Sequence, residues 1–289
     1  MNGEKQSKLS VVIAGGGCRT FWSLGVLEQN RFILPHVLEY AGVSAGAAMA
    51  LAACTDRLRQ TADFFRKITA ENSRNFYIEN VFTKKRAFPH DSMYRSAVRS
   101  ILEEAGLEKI RHGAPVRILL ALFKPDVPVL PVVYRALKSY SKRKKNNIVH
   151  GPDTPIEGLM PETVTAQDAG SVDELCDLVL ASSCTPPVIE KQMINGLSCV
   201  DGGLIDNVPV RALSEEARSG RVLVLLSRPM TVELLPSGDS MLYLAPEKAL
   251  PVAKWDYTSP EKVEETFLQG MRDGKKAEER IISLLSEGS

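Results

Sequence analysis

Val37-Leu38-Glu39-Tyr40-Ala41-Gly42-Val43-Ser44-Ala45-Gly46-Ala47-Ala48 is a strand-like run that ends in Gly-x-Ser-x-Gly and passes directly into small helix formers. This layout predicts a nucleophile elbow. A serine on a tight strand-to-helix turn tolerates no bulky neighbour, so Gly42 and Gly46 flank it and Ala45 stays small. The turn would lift the Ser44 hydroxyl out of a sheet and set it at the start of the next helix. There the N-terminal dipole favours developing negative charge. The pentapeptide alone is a common pattern, so its meaning depends on what surrounds it.

Upstream, Leu9-Ser10-Val11-Val12-Ile13-Ala14 is short, apolar and rich in β-branched residues, the pattern of a buried central strand. It runs into Gly15-Gly16-Gly17-Cys18-Arg19-Thr20, followed by helical spacing of apolar residues over 21–32, with Thr20 as the expected N-cap. Strand, glycine loop and helix together aim backbone N–H groups at an anion. A dinucleotide fingerprint would need glycine where Thr20 stands, and a phosphate P-loop would need Gly-Lys-Ser/Thr, which is absent. An oxyanion hole needs only N–H groups near a nucleophile, and the next strand delivers Ser44. That reading fits best.

Downstream, helices are expected over Ala45–Cys54 and 56–70, and a loop with a short helix over 71–92. An amphipathic helix is expected over 92–105, stopped at Gly106, and a buried strand over 115–123. A strand at 163–166 and a helix over Val172–Ser182 follow, the latter broken by Ser183-Cys184-Thr185-Pro186-Pro187. Strand-like Leu197-Ser198-Cys199-Val200 leads into Asp201-Gly202-Gly203-Leu204-Ile205-Asp206-Asn207-Val208-Pro209. An acid at a strand end, followed by two glycines, sits where an active-site loop would be. Strands at 221–227 and 241–244 and a long amphipathic helix over 259–285, broken near Gly270 or Gly274, complete an alternating α/β pattern.

Residues 124–151 stand apart. Pro125, Pro128 and Pro131 punctuate Val127, Val129, Leu130, Val132, Val133 and Tyr134, and Lys138, Lys142, Arg143, Lys144 and Lys145 follow. Two readings stay open: a solvated surface helix after a proline-rich turn, or a lid or docking surface for lipid aggregates.

Composition bounds the rest. A chain of 289 residues without linker or repeat predicts one domain, 1–289. A net charge of +1 predicts no bulk attraction to nucleic acid or to an anionic membrane. Five cysteines with no C-x-x-C pair predict reduced thiols rather than a disulfide frame or zinc site. Residues 1–10 are polar, with no signal peptide, and the longest uncharged run, 40–55, is too short to span a bilayer. The expectation is a soluble, cytoplasmic protein.

Attack by Ser44 needs a base, usually histidine. His36 lies before the elbow strand, at its wrong end; His90, His112 and His150 fall in polar or proline-flanked stretches. A carboxylate can take the proton instead where its environment suits, and Asp201 is the acid best placed.

These residues carry a resemblance. Gly15-Gly16-Gly17-Cys18-Arg19-Thr20, Gly42-Val43-Ser44-Ala45-Gly46 and Asp201-Gly202-Gly203 occur in the order found in the patatin-like phospholipases. Ala181-Ser182-Ser183 with Pro186-Pro187, and Asn207-Val208-Pro209, also look like that family. The resemblance spans about 9–226; Thr20 departs from it, standing where the family's loop usually closes with glycine. It implies a three-layer α/β fold, a mainly parallel sheet flanked by helices, with 259–287 as a C-terminal helical extension. It implies a lipid acyl hydrolase acting on lipid or phospholipid esters through a Ser44–Asp201 dyad, with peripheral membrane contact and no cofactor or metal. The oxyanion hole would be Gly15, Gly16, Gly17 and Cys18, supported by Arg19, Gly42, Gly46, Gly202 and Gly203. An acyltransferase of related fold and a non-catalytic lipid-binding relative are the rival readings.

Overall fold

Apolar alternation along the strands decides which face each residue takes. In a computed structural model that describes residues 8–286 apart from 82, 84, 104, 232, 233 and 237, the strands are β1 (Leu9–Ile13), β2 (Val37–Val43), β3 (Val116–Phe123), β4 (Leu159–Thr165), β5 (Met193–Ile194), β6 (Leu197–Val200), β7 (Arg221–Leu225) and β8 (Met241–Leu244). The helices are α1 (Phe21–Gln29), α2 (Ala45–Cys54), α3 (Leu58–Ala70), α4 (His90–Leu102), α5 (Gly106–His112), α6 (Val129–Lys145), α7 (Val172–Ser182), α8 (Glu215–Ser219), α9 (Pro260–Lys276) and α10 (Glu278–Ser286). β1 is central and pairs in parallel with β2 and β7, with Val12 opposite Ala41 on one side and Val224 on the other. β2 pairs in parallel with β3, and β7 with β8.

The two faces of this mainly parallel sheet are covered unequally. Val11 and Ile13 join the larger core with α1, α2, α3, α4, α7 and α9. Val12 and Ala14 point the other way, into a smaller core with Val208, Val210 and α8. A third cluster packs Val132 and Ala136 of α6 against Ala121, Phe123, Val200 and Leu204. Helices on both faces of the sheet give the expected α/β layering.

One edge of β3 sets up the site. β4 runs antiparallel along one edge from Arg117 to Phe123. The other edge is shared: β2 occupies it up to Val43 opposite Leu119, and β6 enters antiparallel with Val200 opposite Ala121. The two strands meet head-on, with only Leu120 between their last partners. The residues that follow them, Ser44 and Asp201, are brought face to face.

Some local expectations shift. The helix expected from 92 begins at His90 and ends at Leu102, and Ala105 in the left-handed region turns the chain into the unexpected α5. The strand expected at 163–166 is longer, Leu159–Thr165. The C-terminal helix is not broken at its glycines: α9 runs through both and yields to α10 after Lys276. Gly270 is instead a contact point. A Cβ there would stand 2.0 Å from Trp22 O, and one on Gly25 2.0 Å from Phe267 O, so α1 and α9 touch backbone to backbone. The helices read as an extension therefore pack directly on the core.

Candidate active site

Ser44 sits between β2 and α2 with φ 54° and ψ −135°, a conformation L-residues adopt only when their surroundings enforce it. Three contacts do so. Its N–H donates to Ser182 Oγ at 2.8 Å, and that hydroxyl donates onward to Leu119 O at 2.7 Å. The Tyr94 hydroxyl donates to Ser44 O at 3.3 Å. The flanking glycines are sterically required: a Cβ on Gly42 would lie 2.5 Å from Gly46 O, and one on Gly46 2.3 Å from Ile13 O. Ser44 thus stands on a tight turn between β2 and α2.

Asp201 follows β6 and is buried, with one carboxylate oxygen for each of two tasks. Oδ1 accepts the Gly203 N–H at 2.8 Å, which fixes the rotamer, and Oδ2 accepts the Ser44 hydroxyl at 3.1 Å. The Asp201 N–H donates to Cys184 O at 2.7 Å. Gly202 fits because a Cβ would meet Leu119 O at 2.6 Å; Gly203 fits because one would meet Asn207 Oδ1 at 2.7 Å.

The glycine loop lies against the serine: a Cβ on Gly15 would come within 3.3 Å of Ser44 Cβ. Gly15 O is gripped by Asn207 Nδ2 at 3.0 Å and Ser227 Oγ at 2.6 Å. Gly17 has φ +57° and packs under Lys254 O, which a Cβ would approach to 2.2 Å, so this position accepts glycine alone. The expected four-residue donor set is narrowed. Gly15 N–H donates to Asn207 O at 3.1 Å and Cys18 N–H to Lys254 O at 3.1 Å, so both are already engaged. The N–H groups of Gly16 and Gly17 have no acceptor among the described residues. Arg19 braces the loop through Gly16 O at 3.4 Å. Thr20 does not cap α1 with its side chain; its hydroxyl donates back to Gly17 O at 2.8 Å.

Sequence reasoning missed Tyr94, Ser227 and Lys254. Lys254 Nζ stands 4.0 Å from Asp201 Oδ2 and lies over the Trp255 ring. Among the described residues no histidine bonds to Ser44 or Asp201. His90 Nε2 donates to Trp255 O, and burial holds the ring below its ordinary pKa. His150 is spent on Val208 O and the Tyr243 hydroxyl, and His112 lies beside Glu108. Beside the nucleophile, Phe21, Met49, Phe65, Ala97, Ile101 and Tyr257 wall an almost wholly apolar cavity that reaches Gly17 and Ala45.

The sequence matches the family Patatin-like phospholipase over residues 11–214. The chain belongs to the patatin-like phospholipases. Membership places it, at the level of the family, among lipid acyl hydrolases. VipD from Legionella pneumophila has a similar fold, with a TM-score of 0.51 at 12% identity over 95% of this chain and 67% of VipD. Among curated proteins none matches. In this patatin-like chain Lys254, in the loop after β8, lies beyond the matched region.

All five cysteines are free, and burial raises their thiols, Cys54 and Cys199 to about 12. Among the described residues no group of three His, Cys, Asp or Glu is placed to hold a metal ion. Among the described residues no helix is long and apolar enough to cross a membrane. Segment 124–151 contains α6, which packs on residues 202–204. Its basic residues are not equivalent: Lys138, Lys142, Lys144 and Lys145 are exposed, whereas Arg143 is half-buried and donates to Leu204 O and Ile205 O.

Proposed function

We propose that this patatin-like chain hydrolyses carboxylic esters of phospholipids through a Ser44–Asp201 dyad. The observation that carries the reading is the 3.1 Å contact from Ser44 Oγ to Asp201 Oδ2. Ser44 Oγ attacks the ester carbonyl carbon and its proton passes to Asp201. The Gly16 and Gly17 N–H groups receive the oxyanion, so charge develops where preorganised donors already point. Collapse expels the alcohol, which takes the proton from Asp201, and leaves an acyl-Ser44. Asp201 then removes a proton from water, whose attack frees the fatty acid and restores the serine. The apolar side chains beside Ala45 give the acyl chain a surface to pack on, each methylene buried being worth about 0.8 kcal/mol.

α6 supports a lipid surface as the place of action. Leu130, Tyr134 and Leu137 form an apolar outer stripe, 82, 67 and 48% exposed, continued by Lys138, Lys142 and Lys145. An exposed apolar stripe with a basic end suits the interface of an anionic membrane.

A panel of phospholipids, neutral glycerides and short esters, assayed with the wild type and Asp201→Asn, tests the proposal. Release of free fatty acid from phospholipid, lost in the variant, is expected. Acyl transfer to an added alcohol without hydrolysis in water would replace it with the acyltransferase reading.

A further inference from the structure

On the sheet face opposite the acyl cavity, a cleft opens between the end of α6 and the segment after β7. Its charged walls are Arg143, Lys144 and Arg228, and its floor includes Asn207 and Ser227, the two residues that grip Gly15 O. The cations are not paired off. Among the described residues none of the three makes a salt bridge. Arg143 Nε is buried with no partner, while its two amino groups hold the carbonyls of Leu204 and Ile205. Arg228 donates one hydrogen bond, to Lys144 O at 3.2 Å. Burial holds both guanidinium groups below their ordinary value, and Arg19 adds to the effect at Arg228. Asp206 is the carboxylate whose charge reaches Arg143, but its Oδ1 is taken by the Gly151 and Val208 N–H groups and it lies outside the cleft walls. His150 also lines the cleft, with both ring nitrogens engaged.

Two half-buried guanidinium groups with no salt-bridge partner, beside an exposed ammonium, leave donors that an anion would complete. Guanidinium forks match the tetrahedral oxygens of phosphate, and lysine adds a mobile point charge. We propose that this cleft is a phosphate-binding site, contributed by Arg228, Lys144 and Arg143 and joined to the glycine loop through Asn207 and Ser227. The phosphate is either that of a phospholipid headgroup or a free phosphate. An anion held there bears on the residues that position Gly15, and so on the loop next to Ser44.

The test is titration of inorganic phosphate into the Ser44→Ala protein by calorimetry, at ionic strength fixed with chloride. Because this protein does not turn over, the result stands apart from whether the chain is a hydrolase. Saturable binding is expected, weakened about tenfold or more in Arg228→Gln, the loss that removing one charge-assisted donor brings. Lys144→Gln, at an exposed position that leaves the fold intact, should weaken it as well. No saturable binding, or binding unchanged in both variants, overturns the site. The occupant follows from a second arm with the active protein. Inhibition by phosphate of phospholipid hydrolysis but not of a short uncharged ester identifies the headgroup. Equal inhibition of both, or of neither, alongside binding identifies free phosphate; each result keeps the site.

Discussion

Ser44 is held in its left-handed conformation by partners drawn from across the chain, and that makes the partners testable. Ser182→Ala leaves the Ser44 N–H and one acceptor bond of Leu119 O unmatched in the interior. It should cost about 1–3 kcal/mol of stability by chemical denaturation and slow ester hydrolysis, because the elbow loses a support. Asp201→Asn should keep the fold and lower kcat by about 10²–10⁴, the usual contribution of a general base. Lys254→Met should lower kcat by removing the charge 4.0 Å from Asp201 Oδ2, and Lys254→Arg should restore part of the loss; a kcat unmoved by Lys254→Met would leave the lysine a mere loop support. Ser44 and Asp201 were legible because each carries a local signature, glycine-flanked and at a strand end. Tyr94 and Lys254 carry none, since only the fold brings residues 50 and 210 positions away to the serine.

At the scale of elements, the α1–α9 crossing is the sharpest case. Gly25 and Gly270 each sit where any side chain would strike the partner helix's backbone. Gly270→Leu should force the helices apart and cost at least about 3 kcal/mol, the upper range for overpacking, read as a lowered thermal midpoint. From sequence, a glycine that ends a helix and a glycine that lets another helix approach look alike, which is why a break was expected at Gly270. α4 offers a pH test. His90 is buried with Nδ1 unpartnered and its pKa lowered by desolvation. Below its ordinary value of 6.5 the unfolded chain takes up a proton that the folded one resists, so stability should fall as the pH drops through that value. Replacing it, as in His90→Gln, should flatten that part of the stability profile; an unchanged slope would show that other groups set it.

For the whole molecule, the alternation of strands and helices declared the α/β class, and the order of the glycine motifs declared the family. What could not be read was the pairing of β6. β6 enters antiparallel and meets the elbow strand head-on along one edge of β3. A four-residue strand does not carry its direction in its sequence. Segment 124–151 was left between two readings because periodicity shows a helix's faces but not which one the fold covers. With Val132 and Ala136 inside, the stripe Leu130, Tyr134 and Leu137 is outside. Neutralising Lys138, Lys142 and Lys145 together should weaken binding to anionic vesicles by about 1 kcal/mol per charge at low salt, and less as salt screens it. Vesicle binding that does not change, by sedimentation, would make α6 an ordinary solvated helix.

The central claim is that Ser44, served by Asp201 and no histidine, is the nucleophile. Its most direct test is labelling with a fluorophosphonate, read by mass spectrometry of the digested protein, in the wild type, Ser44→Ala, Asp201→Asn and His90→Gln. The account predicts one adduct, on Ser44, absent from Ser44→Ala, strongly slowed in Asp201→Asn and retained in His90→Gln. An adduct on another serine, or labelling that survives Asp201→Asn at full rate and vanishes with His90, would contradict it.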